Sequence, residues 1–152
     1  MNFRVASYIS KLDNLFVLAE SIEDDEVKGH FAKYLCVKLS GLLEVFFKAK
    51  IADLVDKKSP KPVAHYVNSQ FKTFTNIDTR KIVKSLNQFS SEWEEEFNNG
   101  INEEQSSAIN SVISNRNSIA HGNNSGISLK DVKYYYEKTK EVLGILDGIM
   151  RR

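Results

Sequence analysis

The residues best suited to chemistry are an arginine, an asparagine and a histidine near residue 120. Arg116 is followed directly by Asn117, and His121 stands five positions after the arginine. Histidine changes protonation near neutral pH and can accept or donate a proton. Arginine is permanently charged and can hold phosphate oxygens while negative charge builds on them. Asn117, always neutral, could orient the phosphate or the imidazole. These types suit metal-independent cleavage of RNA through attack of its 2′-hydroxyl.

The same pair has a purely structural explanation. A cation and a histidine near the C-terminal end of a helix satisfy carbonyl groups and complement the helix dipole without any catalytic role. A chain with five arginines and three histidines contains about 0.1 such spacings by chance. The spacing alone therefore leaves both explanations open.

Helix geometry separates the two side chains. Five residues of an ideal helix turn through about 500°, so Arg116 and His121 would point roughly 140° apart. His121 lies where the chain leaves the helix and arginine is long, so a site within one chain is possible. A symmetric dimer in which two such helices face each other makes a shared site easier, with two arginines and two histidines around one groove.

Helices must position these residues, because apolar residues recur at three- and four-residue spacing along the chain. No alternating strand pattern of useful length occurs. The second helix is the longest and most apolar, which is typical of an enclosed central helix. We therefore predict an all-α, single-domain bundle of five to six helices over residues 1–152. The predicted helices cover about residues 3–19, 24–54, 62–74, 79–97, 103–121 and 129–149.

Local signals mark the ends of the helix that carries Arg116 and His121. Asn102 and Gln105 resemble a capping box at its start, and Gly122 suits a left-handed stop at its end. We expect apolar residues of this helix to face the core, namely Ile109, Val112, Ile113, Ile119 and Ala120. A second capping box, Ser128 with Asp131, opens the last helix.

Glu44 is a carboxylate in the most apolar part of the second helix. A buried carboxylate needs a partner, because desolvating it alone is expensive. It could reach solvent or pair with a lysine instead. Gly41, on the same helix, could permit a close helix crossing.

Charge is balanced overall but uneven along the chain. The net charge is +1, which argues against a protein that coats nucleic acid non-specifically. Residues 48–84 contain nine basic and three acidic residues, and residues 92–104 contain six glutamates and no base. The two segments are either ordinary solvated faces or, for the first, a basic rim that guides an RNA backbone.

Several classes of protein are disfavoured. The only cysteine, Cys36, excludes an internal disulfide, and no apolar run approaches the roughly 20 residues of a membrane span. We therefore expect a soluble, cytoplasmic protein. The three histidines are far apart and no glycine-rich phosphate loop follows a strand, so we predict no metal site and no cofactor. Of the three consecutive tyrosines at residues 134–136, we expect at least two to pack rather than to stack on bases.

The sequence RNSIAHG at residues 116–122 resembles the R-x4-6-H motif of the HEPN superfamily in its R-N-x-x-A-H-G form. The context is similar too, because a short polar loop and a closing helix follow the motif. The sequence LSGLLEV at residues 39–45 resembles the second helix of the RiboL-PSP-type HEPN branch.

The resemblance implies a helical bundle, usually a homodimer, with a metal-independent endoribonuclease site at the dimer cleft. Many members are toxins or anti-phage effectors that cleave RNA and are restrained by a partner protein such as an antitoxin. By position, Arg116 and His121 would be the catalytic pair and Asn117 their polar companion, with Glu44 a possible buried partner of Arg116. The family also contains inactive members that only bind nucleotides or other proteins, and that alternative stays open.

Overall fold

The fold, given by a computed structural model that describes residues 1–151, consists of seven helices and no strand within those residues. The prediction of an all-helical bundle with a long second helix is confirmed, since 81% of the chain is helical. Arg152, the last residue of the predicted domain, lies outside the described residues. The helices are α1 (Phe3–Glu20), α2 (Asp25–Lys58), α3 (Lys61–Phe71), α4 (Thr79–Phe89), α5 (Ser91–Gly100), α6 (Glu103–Ala120) and α7 (Leu129–Ile149).

Helix α2 is the centre of the bundle. It is 34 residues long and packs against α1, α3, α6 and α7. Asp24 caps its start by accepting the N–H of Val27, and two acids in the first turn and two lysines in the last turn complement its dipole. Its middle is apolar on nearly every side, so the core is built around it. Fully buried side chains of α2 include Leu35, Leu39, Leu42, Phe46 and Phe47.

Gly41 on α2 leaves room for the side chain of Tyr8 on α1. A Cβ atom at Gly41 would lie 2.5 Å from the hydroxyl oxygen of Tyr8, so a larger residue would displace this side chain. The Tyr8 hydroxyl uses this space to donate a hydrogen bond to the Lys38 carbonyl at 2.7 Å. Burial is the main reason that the pKa of Tyr8 is raised, so this hydroxyl remains a donor at neutral pH.

Three predicted boundaries were wrong. Helix α3 ends at Phe71 rather than near residue 74, because the N–H of Lys72 donates to the Ser69 carbonyl and tightens the last turn. Helix α2 continues to Lys58 rather than ending near residue 54, because only Ser59, which precedes Pro60, is forced into extended backbone. The single helix predicted across residues 79–97 is two helices. Ser90 is extended (φ −161°, ψ 127°) and its hydroxyl accepts the N–H of Trp93, which ends α4 and caps α5. This break makes the count seven rather than five to six.

Cys36 lies at the contact between α2 and α6. Its side chain is fully buried and its thiol lies 3.6 Å from the Val112 carbonyl, which accepts its hydrogen bond. Burial raises the pKa of the Cys36 thiol to about 11. A buried protonated thiol behaves as a small apolar side chain, as expected from its position in an apolar run. None of the helices within residues 1–151 is both long and apolar enough to cross a bilayer.

Candidate active site

The N-terminal half of α6 is held by side-chain hydrogen bonds to two other helices. The predicted capping box is confirmed: the Asn102 side chain accepts the N–H of Gln105 at 2.8 Å, and the Gln105 side chain accepts the N–H of Asn102 at 3.0 Å. Gln105 also donates to Glu141 of α7 at 2.9 Å. Thr79 of α4 donates to the Ser106 carbonyl at 3.3 Å. Buried Ile109, Val112 and Ile113 complete this attachment.

The C-terminal end of α6 stops in a Schellman motif. The N–H of Asn123 donates to the Ser118 carbonyl at 2.9 Å, and the N–H of Gly122 donates to the Ile119 carbonyl at 3.1 Å. Gly122 has φ +73°, the left-handed conformation that glycine adopts without strain. The predicted left-handed stop is therefore confirmed. The core prediction is wrong for Ala120, which is exposed, whereas Ile119 is half-buried and packs against the core.

Arg116 and Asn117 are half-buried neighbours on the last turns of α6. The guanidinium Nη1 of Arg116 donates to Oδ1 of Asn117 at 3.5 Å, a long and weak hydrogen bond. The arginine thus bends round the helix towards the face on which Asn117 lies. His121 lies four residues after Asn117, so it belongs to that same face. Asn117 therefore contacts Arg116 and lies one helical turn before His121.

His121 is the C-cap residue, and its side chain is exposed. Its backbone N–H donates to the Asn117 carbonyl at 3.1 Å, which fixes where the side chain begins. Within residues 1–151 no hydrogen bond joins the imidazole to Arg116 or to Asn117. The imidazole is therefore open to solvent, to a substrate or to a second protein chain.

The loop after the motif is attached through Asn115, a residue to which the sequence assigned no role. Its amide nitrogen donates to the Ser111 carbonyl at 2.8 Å, and its Oδ1 accepts the Ser125 hydroxyl at 2.7 Å. Residues 115 and 125 lie far enough apart in sequence that no spacing rule links them. This pair holds the glycine-containing loop against the helix that carries Arg116.

Glu44 does not pair with Arg116 within this chain. It is half-buried, and its carboxylate accepts the N–H of Asn76 at 3.2 Å. Asn76 has φ +53°, a left-handed conformation that asparagine tolerates, and it belongs to the loop that leads into α4. The partner of Glu44 is thus a backbone group rather than a lysine or the arginine, because this part of α2 faces the loop between α3 and α4.

A polar cleft of about 350 Å³ lies between α4 and α6, beside Asn117. Asn110, Ser114 and Asn117 line one side of it at helical spacing, and Asp78 and Arg80 line the other. Sequence reasoning did not find this cleft, although Arg80 is one of the bases of residues 48–84. The packing of α4 beside α6 is tertiary structure, which no local sequence pattern predicts.

The three tyrosines divide as predicted. Tyr136 is buried, stacks on Phe16 at 4.9 Å between ring centroids and donates to Asp13 at 2.6 Å. Tyr135 is half-buried against the core, and only Tyr134 is exposed. In the part of the chain that is described, no three histidine, cysteine or acidic side chains are grouped so that they could hold a metal ion.

The comparison with protein-family models agrees with the resemblance of the motif. Neither the comparison with curated proteins nor that with solved structures finds a match. The family model for RiboL-PSP-HEPN matches residues 4–151, which is nearly the whole chain and includes Arg116, Asn117 and His121. The chain therefore belongs to the RiboL-PSP-HEPN family, a branch of the HEPN superfamily.

Proposed function

We propose that this protein is a metal-independent endoribonuclease in which Arg116 and His121 cut RNA at a cleft between two copies of the chain. HEPN domains are often ribonucleases, and the observation that carries the proposal is the intact motif at residues 116–122 in a chain of this family. The exposed position of His121 at the end of α6 supports it, because a catalytic imidazole must reach the substrate.

In the proposed reaction His121 takes the proton of a ribose 2′-hydroxyl while that oxygen attacks the adjacent phosphorus. The bond from phosphorus to the 5′-oxygen breaks, and the imidazolium of His121 gives the proton it has taken to this leaving oxygen. The products are a 2′,3′-cyclic phosphate and a 5′-hydroxyl. Arg116 holds the non-bridging oxygens, where negative charge increases in the transition state. Asn117 supports Arg116 through the hydrogen bond between their side chains. Protein groups carry every proton in this scheme, so no metal ion is required.

A two-chain site fits the geometry of the helix end. Within residues 1–151 of one chain no hydrogen bond joins Arg116 to the imidazole of His121, and the imidazole faces outward. A second chain related by a two-fold axis would bring its own Arg116 and His121 to the same groove. We therefore propose a homodimer in which each reaction uses the arginine of one chain and the histidine of the other.

The biological role that we propose is that of a toxin or anti-phage effector, restrained by an antitoxin or another regulatory protein. This role rests on what the HEPN resemblance implies. An unrestrained endoribonuclease would damage the RNA of its own cell, so a restraining partner follows from the activity. Co-purification of a stoichiometric protein partner that blocks RNA cleavage would support this part of the proposal.

The experiment is an RNA cleavage assay in EDTA. The wild-type protein should produce fragments that end in 2′,3′-cyclic phosphate, and Arg116→Ala and His121→Ala should each reduce the rate about 100-fold or more. DNA and 2′-O-methyl RNA of the same sequence serve as controls and should remain intact, because neither has the attacking hydroxyl. Cleavage that survives both substitutions would contradict the catalytic assignment.

A second candidate function is a non-catalytic module that binds a nucleotide or another protein. The observation that favours it is the lack of a hydrogen bond between Arg116 and the imidazole of His121 in one chain. If no copy of the chain completes the site, the same residues would only bind an anion. This candidate predicts no cleavage of any RNA, with or without EDTA, together with a defined complex with a nucleotide or a protein.

A further inference from the structure

We propose that the cleft between α4 and α6 is a second phosphate-binding subsite, in which Arg80 holds a phosphate of the RNA other than the one that is cut. This inference rests on the proposed function and deepens it, because it makes the substrate an RNA strand that continues beyond the scissile bond. The cleft is lined by five polar residues and one apolar residue: Asp78, Arg80, Asn110, Ser114, Asn117 and Ile113.

The polar groups of the cleft are mostly hydrogen-bond donors. Oδ1 of Asn110 is occupied by the N–H of Thr79 at 3.0 Å, and Oδ1 of Asn117 is occupied by Arg116. Each amide therefore keeps its NH₂ group as the end that remains available, and no acceptor within residues 1–151 takes either one. The Ser114 hydroxyl adds a third donor. Such a set suits phosphate oxygens, which accept several hydrogen bonds at once.

Arg80 supplies the positive charge of the cleft. Its side chain is exposed, and it forms no ion pair or hydrogen bond within the described part of the chain. The neighbouring Lys81, by contrast, donates its ammonium to the Thr75 carbonyl at 2.7 Å. An arginine that forms no ion pair within residues 1–151, beside three donors, can bind a phosphate in a bidentate manner.

The backbone that carries Arg80 is held in place from three sides. Asp78 caps α4 by accepting the N–H of Lys81 at 2.8 Å, and Asn110 accepts the N–H of Thr79. The preceding loop is attached to α2 through the hydrogen bond from Asn76 to Glu44. These contacts fix α4 relative to α6, so a phosphate bound by Arg80 would have a defined position relative to the motif.

The cleft adjoins the proposed catalytic residues. Asn110, Ser114 and Asn117 follow one face of α6, and His121 is the next residue on that face, about 6 Å further along the helix axis. Asn117 belongs to both places, since it lines the cleft and contacts Arg116. An RNA strand that lies along this face would place one phosphate near Arg80 and a different one near His121.

Among the described residues Asp78 is the only acid that lines the cleft, so its substitution should change phosphate binding in the opposite direction to that of Arg80. Asparagine is as good an N-cap as aspartate, so Asp78→Asn keeps the cap of α4 while it removes a negative charge that would repel phosphate. Arg80→Gln removes the positive charge. Arg4→Gln, an exposed arginine on α1 that does not line the cleft, is the matched control.

The test compares kcat/KM for a twelve-nucleotide RNA and for a dinucleoside monophosphate, which contains only the scissile phosphate. For the longer RNA, Arg80→Gln should lower kcat/KM about tenfold and reduce the slope of log(kcat/KM) against log salt by about one. Asp78→Asn should raise it about two- to threefold. All variants should cut the dinucleoside monophosphate at the wild-type rate. If Arg80 had only a structural role, Arg80→Gln should slow the cleavage of both substrates.

A binding measurement separates this inference from the proposed function. Binding of the same RNA with 2′-O-methyl groups, which cannot be cut, should weaken about tenfold in Arg80→Gln and remain unchanged in Arg4→Gln. If the wild-type protein binds RNA with this pattern but cleaves none, the ribonuclease proposal is contradicted and the phosphate-binding subsite is supported. Intact cleavage with equal kcat/KM in all variants, or no RNA binding by wild type at low salt, would overturn the subsite.

Discussion

The two ends of α6 differ in how they are held. At the N-terminal end, the capping box of Asn102 and Gln105 and the bond from Gln105 to Glu141 connect the helix to α7, while Thr79 connects it to α4. At the C-terminal end, the hydrogen bonds of the Schellman motif and of Asn115 stay within α6 and its own following loop, and Ile119 packs against the core. Side-chain hydrogen bonds thus join the N-terminal end of α6 to two other helices, whereas those of the C-terminal end remain local.

The difference indicates how one helix can serve both stability and chemistry. The side chains of Asn102 and Gln105 at the N-terminal end are engaged in the capping box, so they stabilise the fold. Those at the C-terminal end remain available: the imidazole of His121 is exposed, and the amide NH₂ of Asn117 has no acceptor within residues 1–151. Substitutions at the two ends should therefore affect different measurements.

The largest expected effect is on activity at the C-terminal end. His121→Ala should lower the rate of RNA cleavage about 10²- to 10⁴-fold, because the proton transfer is lost. Its free energy of unfolding should change by less than about 0.5 kcal/mol, because an exposed side chain is removed. Denaturant titration and a cleavage assay on the same samples measure both. His30→Ala, at another exposed histidine, is the control and should change neither the rate nor the stability. A large loss of stability in His121→Ala would contradict the division of α6 into a stabilising end and a chemical end.

A smaller effect, on stability, is expected at the N-terminal end. Gln105→Leu removes the side-chain half of the capping box and the hydrogen bond to Glu141. It should lower the free energy of unfolding by about 1–2 kcal/mol at pH 7. Cleavage by the folded protein should be unchanged.

This effect should depend on pH. The hydrogen bond from Gln105 is the largest cause of the lowered pKa of Glu141. A carboxylate with a lowered pKa contributes stability above its unfolded pKa and loses it as the pH falls through the folded pKa. The stability difference between wild type and Gln105→Leu should therefore shrink below about pH 4. A difference that grows in acid would show that this hydrogen bond is not its source.

The smallest effect is expected at Gly122, which both ends α6 and fixes the backbone next to His121. Gly122→Ala should cost about 1 kcal/mol, since alanine is strained at φ +73° although a Cβ there would meet no atom within 4 Å. Cleavage should fall by less than about tenfold, because His121 shifts with the cap. Gly144→Ala, in the exposed interior of α7, should instead stabilise the protein by about 1 kcal/mol. Equal effects of the two substitutions in denaturant titration would contradict the role of the left-handed cap.

Local patterns predicted the helices and their caps well, because their causes lie within a few residues. The two capping boxes and the left-handed Gly122 were all found from spacing. The break at Ser90 was missed because the apolar stripe from Ile82 to Phe97 keeps its period through the break. A serine able to cap the next turn was the available signal.

Contacts between distant segments could not be predicted. Nothing in the sequence pairs Glu44 with Asn76, or Lys50 with Asp147 in the ion pair that joins α2 and α7 at 2.7 Å. The cleft beside Asn117 depends likewise on the packing of α4 against α6. The identities of Arg116, Asn117 and His121 as candidates came from the motif, whereas the surfaces around them came only with the fold.

The central claim, that Arg116 and His121 from two chains cut RNA, is tested most directly by mixing inactive variants. Mixed dimers of Arg116→Ala and His121→Ala chains, isolated through two different tags, contain one site with both residues. Each variant alone should be nearly inactive in EDTA, and the mixed dimer should regain roughly half of the wild-type rate. Mixed dimers that remain as inactive as the separate variants, or chains that form no dimer at all, would contradict the account.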